Sequence, residues 1–306
     1  MPNIIINNYC NQKCSYCFAN ANMKDESLMK NMSISTFLKI LKFLKNNKDN
    51  NVRILGGEPI ISPNIRKFLQ IANKGGFDII VFSNINTENE NLKKIFEGMK
   101  GIRVNCNIND KDFYTEKELE NIDKNIETLI NLGIKVIIGY NICDIEKSPE
   151  FIFNLASKHN IGAINLKITN SSLGSELIMD NSSKKLGEYI FDTIKKYSND
   201  FFIEISCGLD KNIFTKEQLE YIENNTEMKL KFGCDGNIGK FDINTDGSIF
   251  KCYPLESVYK NDYYSALNIN NIIKNNIKIE NIIKVLNKGF ISEGECTANK
   301  KIKENL

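Results

Sequence analysis

The chain has 306 residues, of which 42% are hydrophobic and 25% are charged, and its formal net charge is +2. This composition can bury the core of one large domain or of a domain and a half. The small net charge argues against a nucleic-acid partner, which would need a marked basic excess. No apolar run is long enough for a signal peptide or a membrane span, so we expect a soluble, cytoplasmic protein. Nine cysteines in that compartment favour metal ligation over a disulfide framework.

Apolar runs of strand length alternate with amphipathic helical segments from the N-terminus to about residue 200. The strand candidates are Asn3–Ile6, Val52–Leu55, Asp78–Ser83, Ile102–Ile108, Lys135–Ile142 and Ala163–Thr169. The helix candidates are a segment around Phe37–Leu44 that is capped by Ser33 or Ser35, and then Asn64–Asn73, Asn89–Met99, Glu116–Asn131, Pro149–Lys158 and Ser182–Tyr197. This alternation with short links predicts right-handed βαβ units and a parallel sheet.

Three closely spaced cysteines follow the first predicted strand. They are Cys10, Cys14 and Cys17, and Tyr16 lies just before the last of them. On one short loop they can wrap one inorganic cluster. An iron–sulfur cube normally takes four thiolates, so three would leave one iron open to a ligand that is not protein. A zinc knuckle or a redox-active pair is the alternative for such cysteines.

A second motif, Gly56-Gly57-Glu58-Pro59, follows the second predicted strand. The cysteine spacing, Tyr16 and this motif together resemble the CxxxCxΦC and GGEP signatures of the radical S-adenosylmethionine (SAM) superfamily. The resemblance implies a partial (β/α)6 TIM-like barrel over residues 1–200. It implies a catalytic 4Fe-4S cluster on the three cysteines and SAM bound to the open iron. Tyr16 and the GGEP stretch would contact SAM, and an electron donor such as flavodoxin or ferredoxin would be needed. Reductive cleavage of SAM would then give a 5′-deoxyadenosyl radical that abstracts hydrogen from the substrate.

Strand parity predicts a polar barrel interior. In the fourth strand, the apolar residues and Cys106 share the face toward the helices, so the asparagines of that strand face the lumen. The fifth and sixth strands repeat this pattern. Ser83 and Asn84 end the third strand, where the family places nucleoside contacts. The candidate cofactor-binding residues beyond the motifs are therefore Ser83, Asn84, Asn105, Asn107, Asn141 and Lys167. The alternative for each asparagine is ordinary strand-end polarity in an asparagine-rich chain.

One cysteine is a candidate catalytic residue. Parity places Cys143 near the lumen at the end of the fifth predicted strand. A thiol there can donate a hydrogen atom to a substrate radical, which would make the reaction an epimerisation or another redox-neutral change. The alternative is a small buried apolar residue.

Four cysteines follow the last predicted unit: Cys207, Cys234, Cys252 and Cys296. Between the second and third of them, the segment from Phe241 predicts a hairpin with its turn at Asp246-Gly247. This stretch resembles the opening of the SPASM and twitch domains of the superfamily. It implies a small C-terminal domain, residues 201–306, with a β-hairpin, a helix and one auxiliary 4Fe-4S cluster on the four cysteines. A zinc site on the same residues, or Cys207 as a plain buried thiol, is the alternative.

These features predict a radical SAM enzyme that modifies peptides. The chain begins at its first strand, without the N-terminal winged-helix module of many peptide-modifying members, so leader recognition would need a separate protein or the lumen itself. The alternatives are a small-molecule dehydrogenase or epimerase and a non-catalytic, metal-stabilised binding protein. His159 is the only histidine, which excludes most histidine-ligated metal sites.

Overall fold

The computed structural model describes residues 2–17, 19, 30–169, 183–205, 209–228, 230, 232–233, 239–252 and 267–287. The strands β1–β9 are Pro2–Ile5, Asn51–Leu55, Asp78–Ser83, Ile102–Ile108, Lys135–Ile142, Ala163–Ile168, Phe202–Ile205, Phe241–Ile243 and Ile249–Phe250. The helices α1–α9 are Ile34–Asn46, Ile65–Lys74, Asn89–Phe96, Glu116–Asn131, Glu150–Lys158, Lys184–Tyr197, Lys216–Asn225, Ile269–Lys274 and Ile279–Asn287. Within these described ranges no helix is both long and apolar enough to cross a membrane.

All nine strands belong to one sheet, in the order β7-β6-β5-β4-β3-β2-β1-β8-β9. Every neighbouring pair is parallel except β8 and β9, which are antiparallel. From β1 to β7 the spatial order follows the chain order, with a helix after each strand, as consecutive βα units require. The predicted α/β class and the largely parallel sheet are therefore confirmed, and the arrangement is consistent with a partial TIM-like barrel. A further parallel strand, β7, continues the six predicted units.

Local sequence explains where the helices start. The Ser33 side chain accepts a hydrogen bond from the Thr36 backbone N at 3.0 Å and so caps α1, which decides between the two predicted caps. Thr115 and Glu118 form a reciprocal capping box at the start of α4. Fully buried residues such as Phe37 on α1 and Ile54 on β2 belong to the main core between sheet and helices. Burying one such side chain contributes about 1.5–3 kcal/mol, so this face holds the units together.

The predicted hairpin forms and extends the sheet on the β1 side. Its strands β8 and β9 pair antiparallel, and Gly247 occupies the turn with φ of 84°, a conformation that glycine adopts without strain. β8 also pairs parallel to β1, with Asn3 opposite Asp242. The Asn3 side-chain amide donates to the Asp242 carboxylate at 2.6 Å in a buried hydrogen bond. The domain boundary near residue 200 stays a prediction.

Candidate active site

The three-cysteine loop leaves the carboxyl end of β1. A turn closes between Cys14 and Cys17, where the Cys17 N donates to the Cys14 carbonyl at 3.1 Å. The Gln12 backbone N lies 3.4 Å from Cys10 Sγ and donates to it. All three thiols are half-buried and free of disulfides. Burial raises the pKa of Cys10 to about 12 and also raises the pKa of Cys14, so a nearby positive charge is needed to ionise these thiols at neutral pH.

A cluster and a single metal ion need different arrangements of thiolates. A zinc ion holds all its thiolates about 2.3 Å from one centre, whereas in a four-iron cube each iron takes its own thiolate. Among the residues that the structure describes, no three cysteine, histidine, aspartate or glutamate side chains converge as one metal ion requires. The 4Fe-4S cluster on Cys10, Cys14 and Cys17 stays a prediction.

Tyr16 joins the cysteine loop to the segment that follows β4. Its ring packs edge-on against Phe113 with the centroids 5.6 Å apart, and its hydroxyl hydrogen-bonds with Cys14 and Asn109. Asn109 is fully buried, and its backbone N donates to the Tyr114 hydroxyl at 3.0 Å. Sequence reasoning missed Asn109, although its position directly after an apolar strand was a usable signal.

The two glycines of the GGEP motif bring its backbone against the start of the cysteine loop. The Gly57 N donates to the Asn7 carbonyl at 2.9 Å, and the Glu58 N donates to the Tyr9 carbonyl at 2.9 Å. A Cβ on Gly57 would lie 2.1 Å from the Tyr9 carbonyl oxygen, and a Cβ on Gly56 would lie 2.0 Å from Asn7 Oδ1. In the described residues these glycines therefore permit close contact between the two motifs. That they also approach SAM stays a prediction.

The Glu58 carboxylate ties the motif to the end of β3. It is buried and accepts hydrogen bonds from the Ser83 hydroxyl at 2.8 Å, the Asn84 backbone N at 2.7 Å and the Ile60 backbone N at 3.1 Å. These are strong acceptor contacts within the chain itself. These contacts hold Ser83 and Asn84 in place. The contact of Glu58 with SAM, which the resemblance implies, stays a prediction.

Asn84 completes the connection to the cluster loop. Its side-chain amide donates to Asn11 Oδ1 at 3.0 Å and lies 3.8 Å from Cys10 Sγ. Asn7, which sequence reasoning did not select, is fully buried, and its amide donates to the Glu58 carbonyl at 2.9 Å. Three segments that are separate in sequence thus form one hydrogen-bonded unit at the carboxyl edge of the sheet. Pro59 begins the buried 3-10 turn that follows the motif.

Glu58 should make the stability of the metal-free protein depend on pH. Burial raises its pKa from the ordinary 4.5 to about 7, against hydrogen bonds that lower it. The pKa of Glu58 is higher in the folded state than in the unfolded state. The contribution of Glu58 to the free energy of unfolding is therefore fully present below about pH 4.5 and is lost as pH rises to about 7. The difference corresponds to about 3 kcal/mol. Urea unfolding at pH 5 and pH 8 should show this loss in the wild type and not in Glu58→Gln; equal pH dependence in both proteins would contradict the assignment.

The predicted polar interior is present as a set of side-chain contacts. Asn105 donates to Asn107 Oδ1 at 2.9 Å, and the Lys167 ammonium donates to the same oxygen. That ammonium also lies over the Phe82 ring, 4.9 Å from its centroid. A Cβ on Gly139 would lie 2.1 Å from Asn105 Nδ2, so the glycine makes room for this group.

Other lumen-side residues can be placed by register. Asn141 lies opposite Lys167 in the β5–β6 pair, so strand parity puts both on the same face. Cys106 instead lies in the main core, fully buried, as predicted. The structure thus brings the predicted lumen residues of β4 and β6 together. Their contact with SAM stays a prediction.

Cys143 is buried with 5% of its surface exposed. The Asn109 amide donates to its sulfur at 3.2 Å. Burial raises the pKa of the thiol, which keeps its hydrogen in place at neutral pH, as hydrogen-atom donation requires. The catalytic role stays a prediction.

The second cysteine group lies mostly outside the described residues. Cys207, Cys234 and Cys296 are not among them. Cys252 is half-buried and follows β9 by two residues. The auxiliary cluster therefore stays a prediction.

Comparison with known proteins identifies the first half of the chain. Residues 4–152 match the family model of the Radical SAM superfamily. The GTP 3',8-cyclase of Campylobacter fetus subsp. fetus (strain 82-40) is 29% identical over 139 residues, which are 42% of this chain and 42% of that protein. This chain therefore spans less than half of that relative's length.

Solved structures share the fold over most of the chain. Streptococcus suis SuiB bound to precursor peptide SuiA has a TM-score of 0.64 at 19% identity, covering 86% of this chain and 62% of that one. Native anSMEcpe with bound AdoMet has a TM-score of 0.61 at 13% identity, covering 98% and 82%. At these identities the likeness concerns the fold alone. Because the family match spans both the three-cysteine loop and the GGEP motif, residues 4–152 form a domain of the radical SAM superfamily.

Proposed function

We propose that this chain is a radical SAM enzyme that abstracts hydrogen from a peptide in a post-translational modification. The observation that carries the proposal is the loop of three thiols outside any disulfide, joined through Asn7, Glu58 and Asn84 to the GGEP motif and the end of β3. A bound four-iron cluster would supply the electron that cleaves SAM to a 5′-deoxyadenosyl radical. A flavodoxin or ferredoxin is the proposed electron donor.

The residues of the chain have separate tasks in this proposal. Cys10, Cys14 and Cys17 hold three irons of the cluster and leave the fourth for SAM. The Glu58 carboxylate holds the end of β3 against the cysteine loop, which fixes the geometry in which SAM meets the cluster. The polar group on β4 and β6 offers amide donors and acceptors and one ammonium to the polar atoms of SAM or substrate.

Two features support a peptide as substrate. The sheet ends at β7 and β9 in the described part of the chain rather than closing on itself, and an open sheet is compatible with a long substrate. Side-chain amides can donate to and accept from peptide groups at once. A separate leader-recognition protein is a proposed partner. The second candidate is a small-molecule reaction, which is favoured by the relative named GTP 3',8-cyclase.

The proposal extends to an auxiliary 4Fe-4S cluster on Cys207, Cys234, Cys252 and Cys296, in residues 201–306. The hairpin β8–β9 supports it, because β9 leads directly to Cys252 and β8 lies beside β1 in the same sheet. A cluster there would accept an electron from an oxidised substrate or cover the site.

One anaerobic reconstitution experiment tests these statements. The wild type, incubated with SAM and dithionite, should form 5′-deoxyadenosine. Its iron content should be about eight per chain and should fall to about four in Cys234→Ala/Cys252→Ala, since each cube holds four irons. Absence of 5′-deoxyadenosine would contradict the enzyme. Four irons in the wild type, or zinc in the second site, would contradict the auxiliary cluster. Mass spectrometry after turnover with a peptide encoded beside the gene, or with GTP, would separate the two substrate classes.

A further inference from the structure

A cavity of about 610 Å³ lies outside the site described above, where α6 and α7 begin. Its lining residues are Lys184, Lys211, Asn212, Phe214, Lys216 and Leu219. Half of these six residues are lysines, two are apolar, and none of the six is acidic. We call this cavity the lysine pocket.

The wall of the lysine pocket is held firmly against α6. A Cβ on Gly187 would lie 2.0 Å from the Ile213 carbonyl oxygen, so the absence of a side chain at Gly187 lets the segment from Lys211 to Phe214 lie directly on the helix. The Lys184 ammonium donates to the Asn212 carbonyl and, at 3.5 Å, to the Phe214 carbonyl. The pocket is therefore already formed in the structure, which reduces the ordering cost of binding.

Two of its lysines can bind a new anion at little cost. Lys211 is exposed. Lys216 is paired with Glu220 at 3.5 Å, but its side chain is 85% exposed. An exposed pair of this kind contributes about 0–1 kcal/mol, so an incoming carboxylate can compete for the ammonium. Beside these charges, the half-buried Leu219 offers apolar surface, whereas Phe214 is buried beneath the pocket, so the lining suits an acidic segment that carries an apolar side chain.

The pocket lies on the same edge of the sheet as the cysteine loop. The turn Lys211–Ile213 follows β7, and the cysteine loop follows β1, which is parallel to it in the sheet. β7 is six strand positions from β1, which at about 4.8 Å per strand is about 29 Å along the edge. An extended chain of about nine residues covers that length at about 3.3 Å per residue.

We propose that the lysine pocket binds an acidic segment of the peptide substrate, about nine residues or more from the residue that reacts. The inference rests on the proposed function, because only that function makes the bound peptide a substrate. Binding of an acidic peptide can be measured independently of enzyme activity. Such docking holds the peptide at the edge of the sheet while another part of it reaches the cysteine loop. The lysine pocket is therefore the proposed peptide-recognition element of this chain.

The test uses fluorescence anisotropy with a labelled eight-residue peptide in which glutamate alternates with leucine. The wild type should bind it, and Lys211→Gln/Lys216→Gln should weaken binding at least about tenfold. The matched control, Lys67→Gln/Lys124→Gln, removes two exposed helix lysines elsewhere and should change affinity less than about twofold. A peptide with glutamine in place of glutamate should not bind.

Three results would overturn the inference: no binding by the wild type, equal weakening in both double variants, or tighter binding of a labelled eight-nucleotide single-stranded DNA. The measurement needs neither cluster nor SAM. Peptide binding by a protein that forms no 5′-deoxyadenosine would support the lysine pocket as a peptide-binding site and contradict the proposed enzyme activity. Formation of 5′-deoxyadenosine without peptide binding would support the enzyme activity and contradict the proposed role of the pocket.

Discussion

Replacing Cys14 with alanine should abolish 5′-deoxyadenosine formation from SAM, with a loss of at least about 100-fold. Cys14 is the middle thiol of the loop and closes the turn to Cys17. With two thiolates left, the cluster would lack one of its three protein ligands, and the site would lose the geometry in which a single iron is open. Chromatography of the products after anaerobic reconstitution, together with iron content, measures the effect. The same result is expected for alanine at Cys10 and at Cys17.

Cys106→Ala is the matched control for the cysteine variants. Cys106 lies on the helix side of β4, fully buried in the main core, so its removal should lower stability without changing iron content or SAM cleavage. A Cys14→Ala protein that releases 5′-deoxyadenosine at the wild-type rate would show that the loop does not hold the catalytic cluster.

Gly57→Ala should lower both iron content and SAM cleavage. The new Cβ would lie 2.1 Å from the Tyr9 carbonyl oxygen and 2.9 Å from the Cys10 backbone N. Both neighbours are backbone atoms, so the cysteine loop itself must shift. Such overpacking typically costs about 1–3 kcal/mol, and the shift moves a cluster ligand. Iron analysis, 5′-deoxyadenosine assays and urea unfolding of the variant measure these losses.

Gly162→Ala is the control for this substitution. Nothing lies within 4 Å of a Cβ at Gly162, so the variant should retain iron and activity. The resemblance to radical SAM enzymes implies that the GGEP stretch contacts SAM, and a glycine that only faced the cofactor would, when substituted, weaken SAM binding and leave the iron content unchanged. If Gly57→Ala keeps its iron and its stability and loses only SAM affinity, that interpretation is right and the structural one is wrong.

The sequence by itself determined the α/β class and most of the elements. Period-two apolar runs placed Asp78–Ser83, Ile102–Ile108 and Lys135–Ile142 at their observed bounds, because alternate burial on a strand is a local property of the chain. The Asp246-Gly247 turn was likewise predictable, since the required positive φ favours glycine. Parity predicted that Asn105, Asn107 and Lys167 face the same side of the sheet, and the structure shows that they contact one another.

Only the tertiary structure decided how the candidate site is assembled. Glu58 reaches across 26 residues to Asn84, and Asn3 meets Asp242 across 239 residues; such contacts depend on sheet order and register, which local patterns do not specify. The sequence did not reveal that the lack of a side chain at Gly57 admits the Tyr9 backbone. The lysine pocket likewise joins α6 to the segment after β7 through the approach of Gly187 to Ile213. A glycine reveals that a backbone approach is permitted, but the partner in that approach is set by the packing of the whole chain.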